Sequence, residues 1–120
     1  MSDSIIGKKS FEFAIQIVNF YKKFSSEKKE FILSKQILRS GTSVGANVRE
    51  ALNAQSRMDF IHKLSISQKE CDETIYWLEL LFATDYISRD EFESLKKPAA
   101  EILKMIKSII ITTKSKTHNS

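Results

Sequence analysis

Leu33-Ser34-Lys35-Gln36-Ile37-Leu38-Arg39-Ser40-Gly41-Thr42-Ser43-Val44-Gly45-Ala46-Asn47-Val48-Arg49-Glu50-Ala51 is the stretch whose reading decides the fold. Taken alone, Gly41-Thr42-Ser43-Val44-Gly45 reads as a loop, because a glycine inside a helix costs about 1 kcal/mol relative to alanine. Yet Ile37, Gly41, Val44, Val48 and Ala51 recur at three- and four-residue steps straight through it, without a change of phase. The spacing therefore predicts one helix over about 30–55. Ser40, Gly41, Ser43, Gly45 and Ala46 become a thin surface where another helix comes close. Gly41 and Gly45 are four apart and share a face. The close neighbour is either another part of the same chain or a second copy of it. A Gly-rich phosphate loop is the rival reading, but the stretch lacks the lysine and the preceding strand such a loop needs.

Working outward, the same periodicity predicts three more helices. Over about 4–25, Phe11, Ala14, Val18, Tyr21 and Phe24 form a stripe that Phe13, Ile17 and Phe20 widen. Over about 57–84, Met58, Ile61, Leu64, Cys71, Ile75, Leu78 and Phe82 form the next, opened by Ser56-Arg57-Met58-Asp59 at capping-box spacing. Over about 88–114, Phe92, Leu95, Ala99, Ile102, Ile106, Ile109 and Thr113 form the last, behind the capping box Ser88-Arg89-Asp90-Glu91. Proline inside a helix removes a hydrogen bond and clashes with the preceding turn, so Pro98 should kink this helix or split it into 88–96 and 98–114. The polar tail 115–120 should fray. Four helices with short connectors imply an all-α fold, an antiparallel up-down-up-down four-helix bundle forming one domain over 1–120.

Composition agrees. Three glycines and one proline in 120 residues leave too few breakers for an all-β sandwich. With 42% hydrophobic and 28% charged residues the chain is neither disordered nor membrane-spanning, and no apolar run nears the ~20 residues of a spanning helix. The start has no apolar signal core, and the lone Cys71 fits a reducing cytoplasm. The net charge is +4, and residues 1–60 hold ten basic against six acidic residues while residues 61–120 hold nine of each.

Chemistry-bearing motifs are sparse. Neither His62 nor His118 has the Glu three residues earlier that a bundle metal site uses; those positions are Asp59 and Ser115. Cys71 falls on an apolar stripe between Glu70 and Asp72, where a packed thiol is expected rather than a nucleophile. An enzyme using Glu50, Glu73 or Cys71 is the remote alternative, and no catalytic residue, cofactor or metal is expected. Gln36, Arg39, Ser40, Ser43, Asn47, Glu50 and Asn53 make a polar stripe beside the apolar one, with Lys69, Glu73, Tyr76 and Glu79 as its counterpart on the third helix. That stripe reads as a solvated face, as a hydrogen-bond network in which Arg39 meets a carboxylate, or as a binding site. Tyr76-Trp77 and the wide aromatic face of the first helix present more apolar area than one small bundle buries, which points to self-association. Ser40, Gly41, Ser43, Gly45, Ala46, Asn47, Glu50, Tyr76 and Trp77 are the candidate packing or interface residues. Lys8, Lys9, Lys22, Lys23, Lys28, Lys29, Lys35 and Arg39 are the candidate phosphate contacts, or else simply solvated.

The run Leu33–Ala51 resembles the signature of the bacterial four-helix-bundle family of 23S rRNA intervening-sequence proteins. Phe11-Glu12-Phe13-Ala14, Tyr76-Trp77-Leu78-Glu79 and the terminal Ile109-Ile110 resemble it too, so the likeness covers about residues 5–114. The resemblance implies an all-α bundle assembled as a ring-shaped homopentamer; the missing catalytic constellation, the wide apolar faces and the basic bias of residues 1–60 add the expectation of a non-enzymatic scaffold with RNA or a nucleoprotein as partner. Relatives include genes within insertions of large-subunit rRNA genes and accessory proteins of retroelement reverse transcriptases that act through a basic surface. A protein–protein adaptor without nucleic acid is the alternative. The family carries no catalytic residues to transfer, and this chain departs from its usual pattern at Pro98.

Overall fold

A computed structural model describes residues 4–119, with side chains as far as Lys116. The described residues form α1 (Ile5–Lys28), α2 (Leu33–Leu52), α3 (Arg57–Ala83) and α4 (Arg89–Asn119), in a bundle 52 Å long and 22 Å across. Each helix starts for a local reason, and α1 and α3 also end for one. Ser4 caps α1 by accepting from the Gly7 amide at 3.0 Å. Lys29, left-handed at φ 54, ends it. The Glu30 carboxylate then accepts from the amides of Ile32, Leu33 and Ser34 at 3.1, 2.9 and 2.8 Å. These are amides that the first turn of α2 leaves without partners. This is why α2 begins at Leu33 rather than near residue 30.

Ser56 caps α3 through the Asp59 amide at 3.0 Å. The reciprocal half of a capping box appears only before α4, where Glu91 Oε1 accepts from the Ser88 amide at 3.1 Å and Ser88 Oγ accepts from the Glu91 amide at 3.1 Å. A Schellman turn closes α3. The Tyr86 amide donates to Leu81 O and the Asp85 amide to Phe82 O, with Asp85 at φ 65 where glycine is usual.

Neighbouring helices run antiparallel, since residues later in one helix meet residues earlier in the next. Gly41 faces Ile17 and Gly45 faces Ser10. Ser40 meets Thr74, and the carbonyl of Val44 meets Ser67. Phe82 stacks on Phe92, while Cys71 lies against Ala99. Of the four seams between neighbouring helices, α1 with α4 is the least extensive and α2 with α3 the most.

The core holds Phe13, Ile17, Ile37, Val44, Val48, Leu64, Leu78, Leu81, Ile102 and Ile106, all essentially inaccessible. Two expected stripes need correction. On α1 the seam is Ile6, Phe13, Ile17 and Phe24, whereas Phe11 is 54% and Val18 37% exposed. On α3 the stripe begins at Ile61 and Leu64, since Met58 is 80% exposed one turn too early to reach the core. The two halves of α4 are not separate helices. The helix runs unbroken through Pro98, because Leu95, Ala99, Ile102 and Ile106 keep one buried phase across it. It also takes in residues 115–119 of the stretch expected to fray; Ser120 and the His118 side chain lie outside the described residues.

Candidate functional site

The thin surface of α2 is occupied by α1 of the same chain. A Cβ built on Gly41 would lie 2.8 Å from Ile17 Cγ1, and one on Gly45 would lie 3.0 Å from the carbonyl oxygen of Ser10. The first obstacle is a buried side chain and the second is backbone, so the two glycines set how closely α1 and α2 approach. Ser40 is buried on the opposite flank, where its hydroxyl accepts from Thr74 Oγ1 at 2.8 Å.

The polar stripe of α2 divides. Arg39 reaches across to α3, donating to Glu70 Oε1 at 3.2 Å and to the Glu73 carboxylate. Glu73 also accepts from Trp77 Nε1 at 3.3 Å, so Trp77 is half-buried while Tyr76 stays outside, edge-on to its ring. Burial opposes the charge on Arg39, but Glu70 and then Glu73 raise its already high pKa. Ser43 and Asn47 turn back to their own helix, donating to Arg39 O at 2.6 Å and Ser43 O at 2.9 Å. Glu50 pairs with Lys63 at 2.8 Å. Ala46 is exposed.

Cys71 is fully buried and donates to Ala99 O at 3.2 Å. Burial, helped by Asp72, pushes its thiol up to about 12, so the thiolate that nucleophilic chemistry requires is suppressed at neutral pH. Among the described residues no group of three or more His, Cys, Asp or Glu side chains could hold a metal ion, and no helix is long and apolar enough to cross a membrane.

The basic residues do not form one cluster. Lys8 and Lys9 sit near the start of α1, about 30 Å along the helix from Lys28 and Lys29 at its end. Lys22 and Lys23 lie toward that second end, and Lys35 joins it from the start of α2. All seven lysines are exposed, and none makes an ion pair among the described residues. Arg39 differs, being held by two carboxylates of α3.

A second feature was hidden in the stripe expected for the core. Lys8, Phe11, Ile15, Val18 and Lys22 follow one another at alternating steps of three and four, the spacing of a coiled-coil seam, and all are exposed. Ile15 is 46% exposed. Beside this row a groove of about 830 Å³ opens between α1 and α2, floored by Gly7, Ala14, Thr42, Gly45 and Ala46. Arg49 closes its rim with the guanidinium 5.7 Å from the Phe11 ring centroid. A smaller polar cleft of about 560 Å³ lies where α2 passes into α3, lined by Arg49, Glu50, Asp59 and Lys63. The sequence reading missed Ile15, Phe31 and Ile32 as exposed apolar groups and Glu70 as the partner of Arg39. The four-residue step from Phe11 to Ile15 was the available signal for the first. Nothing local marks Glu70, which lies 31 residues from Arg39.

Comparison with known proteins agrees with this architecture. No curated protein matches the chain. A crystal structure of a protein with unknown function from the S23 ribosomal protein family of Bacteroides thetaiotaomicron is 58% identical, with a TM-score of 0.87, and the match covers 88% of this chain and 98% of that one. The family model described as 23S rRNA-intervening sequence protein matches residues 2–108, which takes in α1, α2, α3 and most of α4. A match of that extent means that the chain belongs to the 23S rRNA-intervening sequence protein family.

Proposed function

We propose that this chain is a non-enzymatic helical scaffold that assembles with copies of itself in the cytoplasm and contacts RNA or a nucleoprotein through its basic first half. The observation that carries the proposal is the outer face of α1. Phe11, Ile15 and Val18 lie exposed there in a row between Lys8 and Lys22, which have no acidic partner among the described residues. A contiguous exposed apolar row at coiled-coil spacing is the signature of a helix awaiting a partner. The groove beside it gives a second helix room to settle. A ring of five copies is the assembly that the family resemblance implies. Free lysines give a polyanion its main source of affinity, and they also keep the assembly from being purely hydrophobic.

Two measurements test the two halves. Sedimentation of the wild-type chain should show a species larger than one subunit, and Phe11→Ser with Ile15→Ser should yield a smaller one with helicity retained. Titration of RNA binding against salt should give log affinity falling linearly with log salt. An assembled protein that fails to bind RNA even at low salt would leave a protein–protein adaptor as the correct reading.

A further inference from the structure

The connector Lys29-Glu30-Phe31-Ile32 crosses the end of the bundle between α1 and α2. Phe31 is 47% and Ile32 76% exposed, and neither packs on the core. The Phe31 ring has no aromatic or cationic partner among the described residues, unlike Phe11, Phe20, Phe24, Phe82 and Phe92. The connector is nonetheless held firmly. Three hydrogen bonds donated by backbone amides to the Glu30 carboxylate, and the 2.6 Å hydrogen bond from Ser34 Oγ to Glu30 O, tie it to the first turn of α2. Burial works against the Glu30 charge, but the bonds from Leu33, Ser34 and Ile32 outweigh it and hold the carboxyl below its usual range.

The chain on either side of this aromatic residue is basic. Lys28 and Lys29 precede Phe31 by three and two residues, and Lys35 follows it by four. Chain geometry alone keeps their Cα atoms within about 15 Å of it. Glu30 is committed to the helix cap and Glu27 is the other acidic residue between Lys22 and Lys35. Because Glu30 already fills the start of α2, an anion here must use the lysine ammonium groups rather than the helix amides.

An exposed ring on a firmly held connector, among unpaired lysines, has the features of a single-strand site, in which bases stack on aromatic faces while cations follow the backbone. The α3–α4 connector decides between a strand and a broad anionic surface. It lies at the same end, since the Tyr86 ring is edge-on to Phe24 at 5.9 Å; it carries the exposed acidic residue Asp85, and Asp90 follows in the first turn of α4. A flat anionic membrane, or the full width of a duplex, would meet those carboxylates. A single strand is narrow enough to follow the lysines past them.

We infer that the α1–α2 connector is a contact site for unpaired nucleotides, with a base stacked on Phe31 and phosphates held by Lys28, Lys29 and Lys35. This deepens the RNA reading above and rests on it. The test uses the full-length chain and a short labelled single-stranded RNA, with the same RNA annealed to its complement as comparator and fluorescence anisotropy as readout. Phe31→Ala should weaken binding of the strand about tenfold. Its salt slope should stay unchanged, and Phe31→Tyr should restore the affinity. Lys28→Gln with Lys29→Gln should lower the slope by about 1.4, since each phosphate left without its lysine removes roughly 0.7.

Duplex bound as tightly as single strand, or Phe31→Ala binding like wild type, would overturn the site while leaving RNA binding intact. A wild-type chain with no affinity at low salt would instead remove the RNA reading itself. Phosphatidylserine vesicles serve as the control surface. If Phe31→Ala abolished vesicle binding but not RNA binding, the connector would be a lipid contact and the inference wrong. A change in sedimentation of Phe31→Ala would overturn it too, by making Phe31 a subunit contact.

Discussion

Helix α1 carries two apolar rows, and they have opposite fates. Ile6, Phe13, Ile17 and Phe24 are buried, while Phe11, Ile15 and Val18 on the adjoining face are exposed. Residue type does not separate them, since each row has a phenylalanine and an isoleucine at helical spacing. The difference is what stands opposite. Ile17 meets Gly41, a residue with no side chain, so its whole volume fits into the α1–α2 seam. Phe11 lies under the Arg49 guanidinium at the rim of an open groove and stays 54% exposed. A thin partner thus converts one hydrophobic stripe into core and leaves the other available to a second molecule.

The sharpest way to break this comparison is to shorten one isoleucine in each row. Ile17→Ala removes a fully buried side chain and should cost about 2–5 kcal/mol in urea unfolding. Ile15→Ala should stay within about 0.5 kcal/mol at subunit concentrations too low for assembly. Equal losses at both positions would mean that the outer row is as structural as the inner one.

Filling the thin partner comes next in size. Gly45→Leu pushes a side chain toward the Ser10 carbonyl, which belongs to the backbone of α1 and cannot swing away. Helicity and thermal stability should fall together, by about 1–3 kcal/mol. Loss of assembly with full stability would place the Gly45 contact between subunits instead.

The smallest effect concerns the cap that sets where α2 begins opposite α1. The Glu30 carboxyl titrates lower in the folded chain than its unfolded value of about 4.3, so its contribution is fully present above that pH and disappears as pH falls through the folded value. Glu30→Gln should lose about 1 kcal/mol near neutrality, a cap-sized effect at a partly exposed site, and the gap to wild type should narrow in acid. A constant gap down to strongly acidic pH would show that the carboxylate charge contributes nothing to the cap.

The four helices were legible because each stretch repeats its apolar residues every three or four positions, and Ser56, Ser88 and Glu91 mark two of the starts in the local sequence. The continuity of α2 through two glycines was legible for the same reason, since periodicity needs no side chain at every step. The role of Glu30 was harder to see, because its carboxylate acts from outside the helix it starts.

By itself, the sequence determined that this protein is helical, roughly where the connectors between its four helices fall, and that its first half is basic, because those properties follow from neighbours within a few residues. Only the tertiary structure decided which of the two α1 rows is core and that Arg39 is neutralised by Glu70 and Glu73 across 31 and 34 residues. Each of those outcomes depends on which helix faces which. That pairing is set by the close approach at Gly41 and Gly45, a contact made with residues 24 and 35 positions earlier in the chain.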